Sequence, residues 1–176
     1  CYFDGLETQT SEERATNIAK TLPAQIAHAK RLPGYADCFE QVTASEITDL
    51  HALATLPVLR KSELVKAQKP GNILGGFVQK SLFEFSHIFQ SPGPLYEPGG
   101  TGHDWWRMGR VLHAAGIGRG DIIQNCFGYH LTPAGMIFEN GARAVGAAVL
   151  PAGVGQTDLQ VRAAVDIGTT AYAGTP

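Results

Sequence analysis

The chain has 176 residues, 44% of them apolar and 17% charged, and a formal net charge of −2. That balance suits one globular domain with a real core and excludes a disordered tract. The lack of any basic block argues against nucleic acid as a partner, and no apolar run approaches the roughly 20 residues needed to span a bilayer. Asp4, Glu7, Glu12 and Glu13 crowd the start with no apolar segment before them, so no secretory leader is expected. Cys1, Cys38 and Cys126 have neither CxxC nor zinc spacing. Reduced thiols in a cytoplasmic protein without a metal site are the expectation. Cys1 stands where an initiator Met would, so a trimmed sequence, or part of a longer one, is expected.

Taken in chain order, residues 10–31 read as a helix. Thr10 and Glu13 have capping-box spacing, Ile18, Leu22 and Ile26 form an apolar stripe, and Pro23 should kink the element or start a second helix. Ser45 is a candidate cap for a short helix carrying Ile47, Leu50 and Leu53, which stops before Pro57. A further helical turn or two is expected from Arg60 to Gln68. Residues 1–80 thus form a mainly helical lead-in, and 81–176 an α/β part of the same domain. There Leu82 to Gln90 favours strand, and Thr101 to His113 a helix with Trp105, Met108, Val111 and Leu112 on one stripe. Strands at 121–127, 146–150 and 169–173 alternate with helices at 133–143 and 156–166, the first opened by Thr132 as N-cap and Pro133 at N1. This spacing predicts a βαβαβ parallel sheet. The chain stops just after the last strand, and more sheet should follow.

Several stretches invite functional readings. "FSHIFQSPGPLYEPGG" (Phe85 to Gly100) puts a glycine-bearing loop ahead of an expected helix N-terminus, where N–H groups and the dipole favour anions. "GIGRGD" (Gly116 to Asp121) follows a helix and precedes a strand, the reverse of a dinucleotide fingerprint, so it reads as a helix C-cap and tight turn. Of Trp105 and Trp106, one should pack inward and the other stay half exposed. "GYHLTPAG" (Gly128 to Gly135) and "PAGVGQT" (Pro151 to Thr157) both follow predicted strands. Ligands of open parallel sheets bind at those carboxyl ends, so the two loops are either a site or ordinary connections.

The blocks "LATLPVLRKSEL", "GIGRGDIIQNCFGYHLTPAGMIFENGARAVGAAVLPAGVGQTDLQV" and "AYAGTP", with the opening "YFDGLETQTSEERATNIAKTLPAQIAHAKRLPGYADCF", resemble the N-terminal portion of phenylacetate–CoA ligases. These belong to the adenylate-forming (AMP-dependent synthetase and ligase) superfamily. The resemblance implies a fragment of such an enzyme's large N-terminal domain. It implies a full-length protein that uses ATP, Mg²⁺ and CoA to convert a small, aryl-type carboxylic acid to its acyl-CoA through acyl-AMP. No cofactor is expected on the fragment alone, and a homodimer is among the assemblies left open. The acyl pocket is expected at Tyr129, Thr132 and Pro133, with Gly153, Gly155, Gln156 and Thr157 forming a second loop at the sheet edge. No catalytic residue is assigned. The aromatic-Gly-x-Thr-Glu motif, the ribose-binding Asp and the catalytic Lys of the family would all lie beyond Pro176.

One block departs from the family. Where the resemblance implies the phosphate loop SSGTTGKP, this chain reads "SPGPLYEP". Ser91, Gly93 and Pro98 match; Pro92, Pro94, Leu95, Tyr96 and Glu97 do not. Proline has no N–H to donate, and a glutamate near a triphosphate is repulsive by on the order of a kcal/mol or more. The degenerate loop keeps two rivals in view: a non-catalytic homologue that binds a small ligand or acts as an interaction module, and a complete small nucleotide-binding α/β domain. His130 and Pro133 also depart from the family's usual Gly and small residues.

Overall fold

In the computed structural model, which describes residues 2–175, both halves of the capping box at Thr10 and Glu13 are made. Glu13 N donates to Thr10 Oγ1 at 3.1 Å and Thr10 N to Glu13 Oε2 at 2.7 Å. These hydrogen bonds from the Thr10 backbone and hydroxyl hold the Glu13 carboxyl below its usual value. Helix α1 (Ser11–Lys30) runs through Pro23 as one element instead of restarting there. The missing N–H removes one rung of the ladder without ending it. Ile26 is buried, with Ile18 and Leu22 half-buried on the same stripe.

The described residues fall into two compact units: residues 2–84 with 93–96, and residues 85–92 with 97–175. The first contains α1, α2 (Leu50–Ala54) and α3 (Lys61–Ala67). The cap of α2 is Asp49, whose carboxylate accepts from Ala52 N at 2.7 Å. Ser45 lies in a separate 3₁₀ turn and does not cap. With Asp49 as the cap, the helix starts four residues later than the sequence suggested. Tyr35 stacks on Phe39 and meets Phe77 edge-on, at 5.4 and 5.2 Å between ring centroids.

The second unit carries the parallel sheet. Strands β3 (Ile122–Asn125), β4 (Ala148–Leu150) and β5 (Ala171–Ala173) stand in the order β4-β3-β5, both pairings parallel, with Ile123 opposite Val149 on one side and Ala171 on the other. Helices α5 (Ala134–Val145) and α6 (Thr157–Ile167) are the crossovers. The expected α/β parallel arrangement is therefore present. Leu112, Ile123, Ala142, Ala147 and Ala173 form the core, surrounded by Met108, Phe127, Phe138 and Val149 among others. Phe127 stacks on Phe138 at 4.5 Å. Helices α4 (Gly109–Ala114) and α5 approach so closely at Gly141 that a Cβ there would lie 2.7 Å from Met108 Cβ.

Three further expectations are corrected. Leu82–Glu84 is a 3₁₀ turn, and the strand β1 is His87–Ser91. Ser81, through both its amide and its hydroxyl, donates to Glu84 and closes that turn. The helix expected from Thr101 shrinks to Gly109–Ala114, because Asp104 and Arg107 take left-handed conformations (φ 46° and 59°) and Asp104 Oδ1 accepts from Gly109 N at 2.8 Å. No helix N-terminus therefore follows the 91–98 loop directly. That loop is instead the turn of a hairpin, with β1 paired to β2 (Leu95–Gly99). Trp105 is exposed and Trp106 half-buried against Phe89, but from turn rather than helix.

Candidate ligand site at the carboxyl edge of the sheet

Central strand β3 ends in a polar residue, Asn125, that is fully buried at 0% exposure. A buried amide is costly unless its groups are paired, and this one pairs four ways. Its Nδ2 donates to Tyr129 Oη and to the Gly135 carbonyl, each at 2.8 Å. Its Oδ1 accepts from Phe127 N at 3.2 Å, and its main-chain carbonyl accepts from Gly153 N at 3.0 Å. One side chain and one carbonyl thus tie the 126–133 loop, the start of α5 and the 151–156 loop to the same strand end.

Tyr129 is held from both sides. Its hydroxyl also hydrogen-bonds Glu139 on α5, and burial, reinforced by the Glu139 charge and that hydrogen bond, pushes the phenol up to about 12; the Asn125 donor acts in the opposite direction. The ring lies against Gly135, where a Cβ would come within 2.8 Å of it. Farther along the loop, Leu131 adopts φ 58° and its carbonyl accepts from Gln90 N of β1 at 2.8 Å. Thr132 does not cap α5: the capping position is Pro133, with no side-chain bond, and Thr132 N instead donates to the His130 carbonyl at 2.6 Å. A γ-turn centred on Leu131 takes the place of the cap.

The second loop is braced by Gln160 of α6. Its Nε2 donates to the Gly153 carbonyl at 2.9 Å, and its Oε1 accepts from the Cys126 thiol at 3.4 Å. Gly153 is buried, while Gly155, Gln156 and Thr157 are exposed. Gln156 enters α6 from a left-handed conformation, φ 53°. Thr157 lines an open groove of about 530 Å³ with Gln124, Gln160, Val161, Val165 and Tyr172; Tyr129 is not part of that lining. The structure therefore joins Tyr129 and Gly153 through Asn125 and places Thr157 in the groove beside β5.

The hairpin is different. The Ser91 hydroxyl donates to the Glu97 carboxylate across the two strands. Gly93 makes the turn with φ 153°, and Pro98 lies half-buried on β2, as an edge position permits. Tyr96 N donates to Gln68 Oε1 and the Tyr96 carbonyl accepts from Gln68 Nε2, both at 2.7 Å. The hydroxyl and an amide that an anion would need are thus already bound within the protein. Among the described residues no group of three or more His, Cys, Asp or Glu could hold a metal ion. The hairpin as built does not fit a triphosphate with its Mg²⁺.

Asn125, Glu139, Gln68 and Gln160 were not singled out from sequence. Only Asn125 left a signal there: the polar pair Gln124-Asn125 inside an otherwise apolar strand.

No family model matches the chain. A phenylacetate–coenzyme A ligase of Pseudomonas putida is 26% identical over 170 residues, 91% of this chain and 38% of that protein. One of Aromatoleum evansii is 24% identical over the same span. Among solved structures, 2-hydroxyisobutyryl-CoA ligase in its postadenylation state, in complex with 2-HIB-AMP, matches with a TM-score of 0.86 at 22% identity, over 96% of this chain and 38% of that one. The same enzyme with 2-HIB-AMP and CoA in the thioesterification state gives 0.85. The chain spans 38% of the length of these relatives. It is related in sequence to the N-terminal part of phenylacetate–CoA ligases and has the fold of the N-terminal region of an adenylate-forming ligase. No helix among the described residues is long and apolar enough to cross a membrane.

Proposed function

From this relation to phenylacetate–CoA ligases we propose that the chain is the N-terminal part of an ATP-dependent acid–CoA ligase. Its substrate is a small carboxylic acid, an aryl acid such as phenylacetate in the first instance. The observation that carries the reading is the match over 170 residues, which takes in both loops at the sheet edge. The reaction would join the acid to the α-phosphate of ATP, release pyrophosphate, and then exchange AMP for the thiol of CoA. This chain's share is to hold the acid. Tyr129, Thr132 and Pro133 would line the acyl pocket, and Gly153, Gly155, Gln156 and Thr157 would form its second wall. Asn125 and Glu139 keep Tyr129 from swinging away.

One observation favours a second reading, a homologue that binds a small ligand without activating it. The Ser91–Glu97 bond and the Gln68–Tyr96 pair occupy the groups a phosphate loop would offer, and no step through Mg²⁺ can be assigned to residues of this chain.

The test is enzymatic. The full-length protein is incubated with ATP, Mg²⁺, CoA and a panel of aryl and alkyl acids, and acid-dependent AMP and acyl-CoA are measured. Formation of both with an aryl acid supports the ligase. ATP-independent binding of an acid without AMP formation would replace it with the second reading. The reading frame past Pro176 gives an independent check: an aromatic-Gly-x-Thr-Glu block, then a Lys-bearing C-terminal domain, belong to the ligase alone.

A further inference from the structure

We propose that Asn125 is the positioning residue of the acid site: it fixes the direction of the Tyr129 phenol and the start of the 151–156 loop, and thereby sets which carboxylic acids fit. The effect on acid choice rests on the ligase reading; the hold on Tyr129 does not.

Burying a polar side chain at this point in the sheet is costly. Beside it in the sheet stand Ile123, two residues earlier on the same face, and Ala173, its partner on β5, both apolar. An apolar side chain at 125 would pack there without any need for partners. A buried polar group whose donors and acceptors are all used instead fixes one arrangement of the groups around it. Both Nδ2 hydrogens of Asn125 are used, at 2.8 Å to Tyr129 Oη and 2.8 Å to the Gly135 carbonyl, and Oδ1 takes the Phe127 amide. The two partners of Nδ2 sit at opposite ends of the 128–135 loop, so the amide spans that loop from beneath. The carbonyl of the same residue accepts from Gly153, the one buried residue of the expected second wall. Gln160 also reaches both loops, but it touches the first only through a thiol at 3.4 Å.

The phenol makes the arrangement directional. It accepts from Asn125 and bonds Glu139 on its other side, while the ring rests on Gly135. Removing Asn125's amide leaves Tyr129 tethered only by Glu139 from α5. The ring is then free to turn toward the helix, and misplacement of a substrate-lining group by about 1 Å costs up to roughly a hundredfold in rate.

Two measurements test this together. The first is alkaline difference spectroscopy on the 176-residue chain, with Tyr129→Phe as the blank for the other tyrosines. In the wild type the Tyr129 transition should lie well above that of an ordinary tyrosine, because burial and Glu139 raise it. Asn125→Ser and the isosteric Asn125→Asp, each of which removes the amide donor, should move that transition upward. Glu139→Gln should move it down toward the ordinary 10.0. The second is kcat/KM on the acid panel with the full-length protein. Asn125→Ser should change the ratio between aryl and alkyl acids about tenfold, leave the KM for ATP unchanged, and add nothing in a Tyr129→Phe background. A purely structural Asn125 would lower the melting temperature and leave both the Tyr129 transition and the acid ratio where they were, and that overturns the proposal. So does a shifted transition with an unchanged ratio in an active ligase. If the wild type forms no acyl-CoA at all, the ligase reading falls by itself. The Tyr129 transition then decides the positioning role alone: a shift upholds it, none removes it.

Discussion

The β1–β2 hairpin and the two loops at the sheet edge sit at positions where the relatives' family is expected to hold substrate, and they treat their polar groups in opposite ways. In the hairpin, Ser91 is turned onto Glu97 and the Tyr96 amide onto Gln68. The surface that would meet a phosphate is spent on the hairpin itself, and Pro92 and Pro94 offer no N–H. At the sheet edge the bonding lies beneath the loops, on Asn125 and Gln160, while His130, Leu131, Gly155 and Gln156 stay exposed above it. On the proposed reading, the edge loops keep a binding face supported from behind, whereas the hairpin has used its own polar groups internally.

Substitutions at named residues test the contrast between hairpin and edge loops. The largest effect is expected from replacing residues 91–98 with SSGTTGKP. This supplies three Ser or Thr hydroxyls, at positions 92, 94 and 95, together with amide donors and a lysine, and removes the Glu97 charge. Each change acts in the same direction by on the order of 1 kcal/mol or more, so ATP–Mg²⁺ affinity should rise roughly a hundredfold by calorimetry. Next is Gly141→Ala, which strikes the platform under the edge loops. The new methyl would lie 2.7 Å from Met108 Cβ, and overpacking of α4 against α5 should cost about 1–3 kcal/mol in denaturant unfolding, where the same change on the solvent side of a helix would be neutral or favourable. Tyr129→Ala should shift the preference between aryl and alkyl acids about tenfold in the full-length protein and leave ATP affinity intact; equal selectivity across the panel would place the acyl pocket elsewhere.

The smallest effect concerns pH. Asp121, at the start of β3, accepts from Gly118 N at 2.8 Å and from the Thr170 hydroxyl at 2.8 Å, and these bonds hold its carboxyl below 3.8. A lowered folded-state value means the stabilisation is present above the ordinary value and is lost as pH falls through the folded one. Asp121→Asn should therefore flatten the acid limb of the stability curve below about pH 4 and change little at pH 7.

What the sequence carried and what it hid follow from range. The capping box at Thr10 and Glu13 and the alternation that gives β3, α5, β4, α6 and β5 are local patterns, and they appear where the spacing placed them, within a residue or three at each end. The helix from Thr101 failed because Asp104 found a better use for its carboxylate five residues on, at Gly109, than three residues back. The hairpin was hidden because Pro98 spoils the alternation of β2, which only an edge strand tolerates. For the proposed site, the two loops were legible from their place after strands and Tyr129 from the family resemblance. Asn125, Glu139 and Gln160 were not, since their roles depend on partners brought close by the fold.

Calorimetry of ATP–Mg²⁺ with the unmodified chain tests the central claim, that the hairpin occupies the phosphate position without phosphate chemistry. Binding should be no tighter than about millimolar. A dissociation constant in the micromolar range would contradict it.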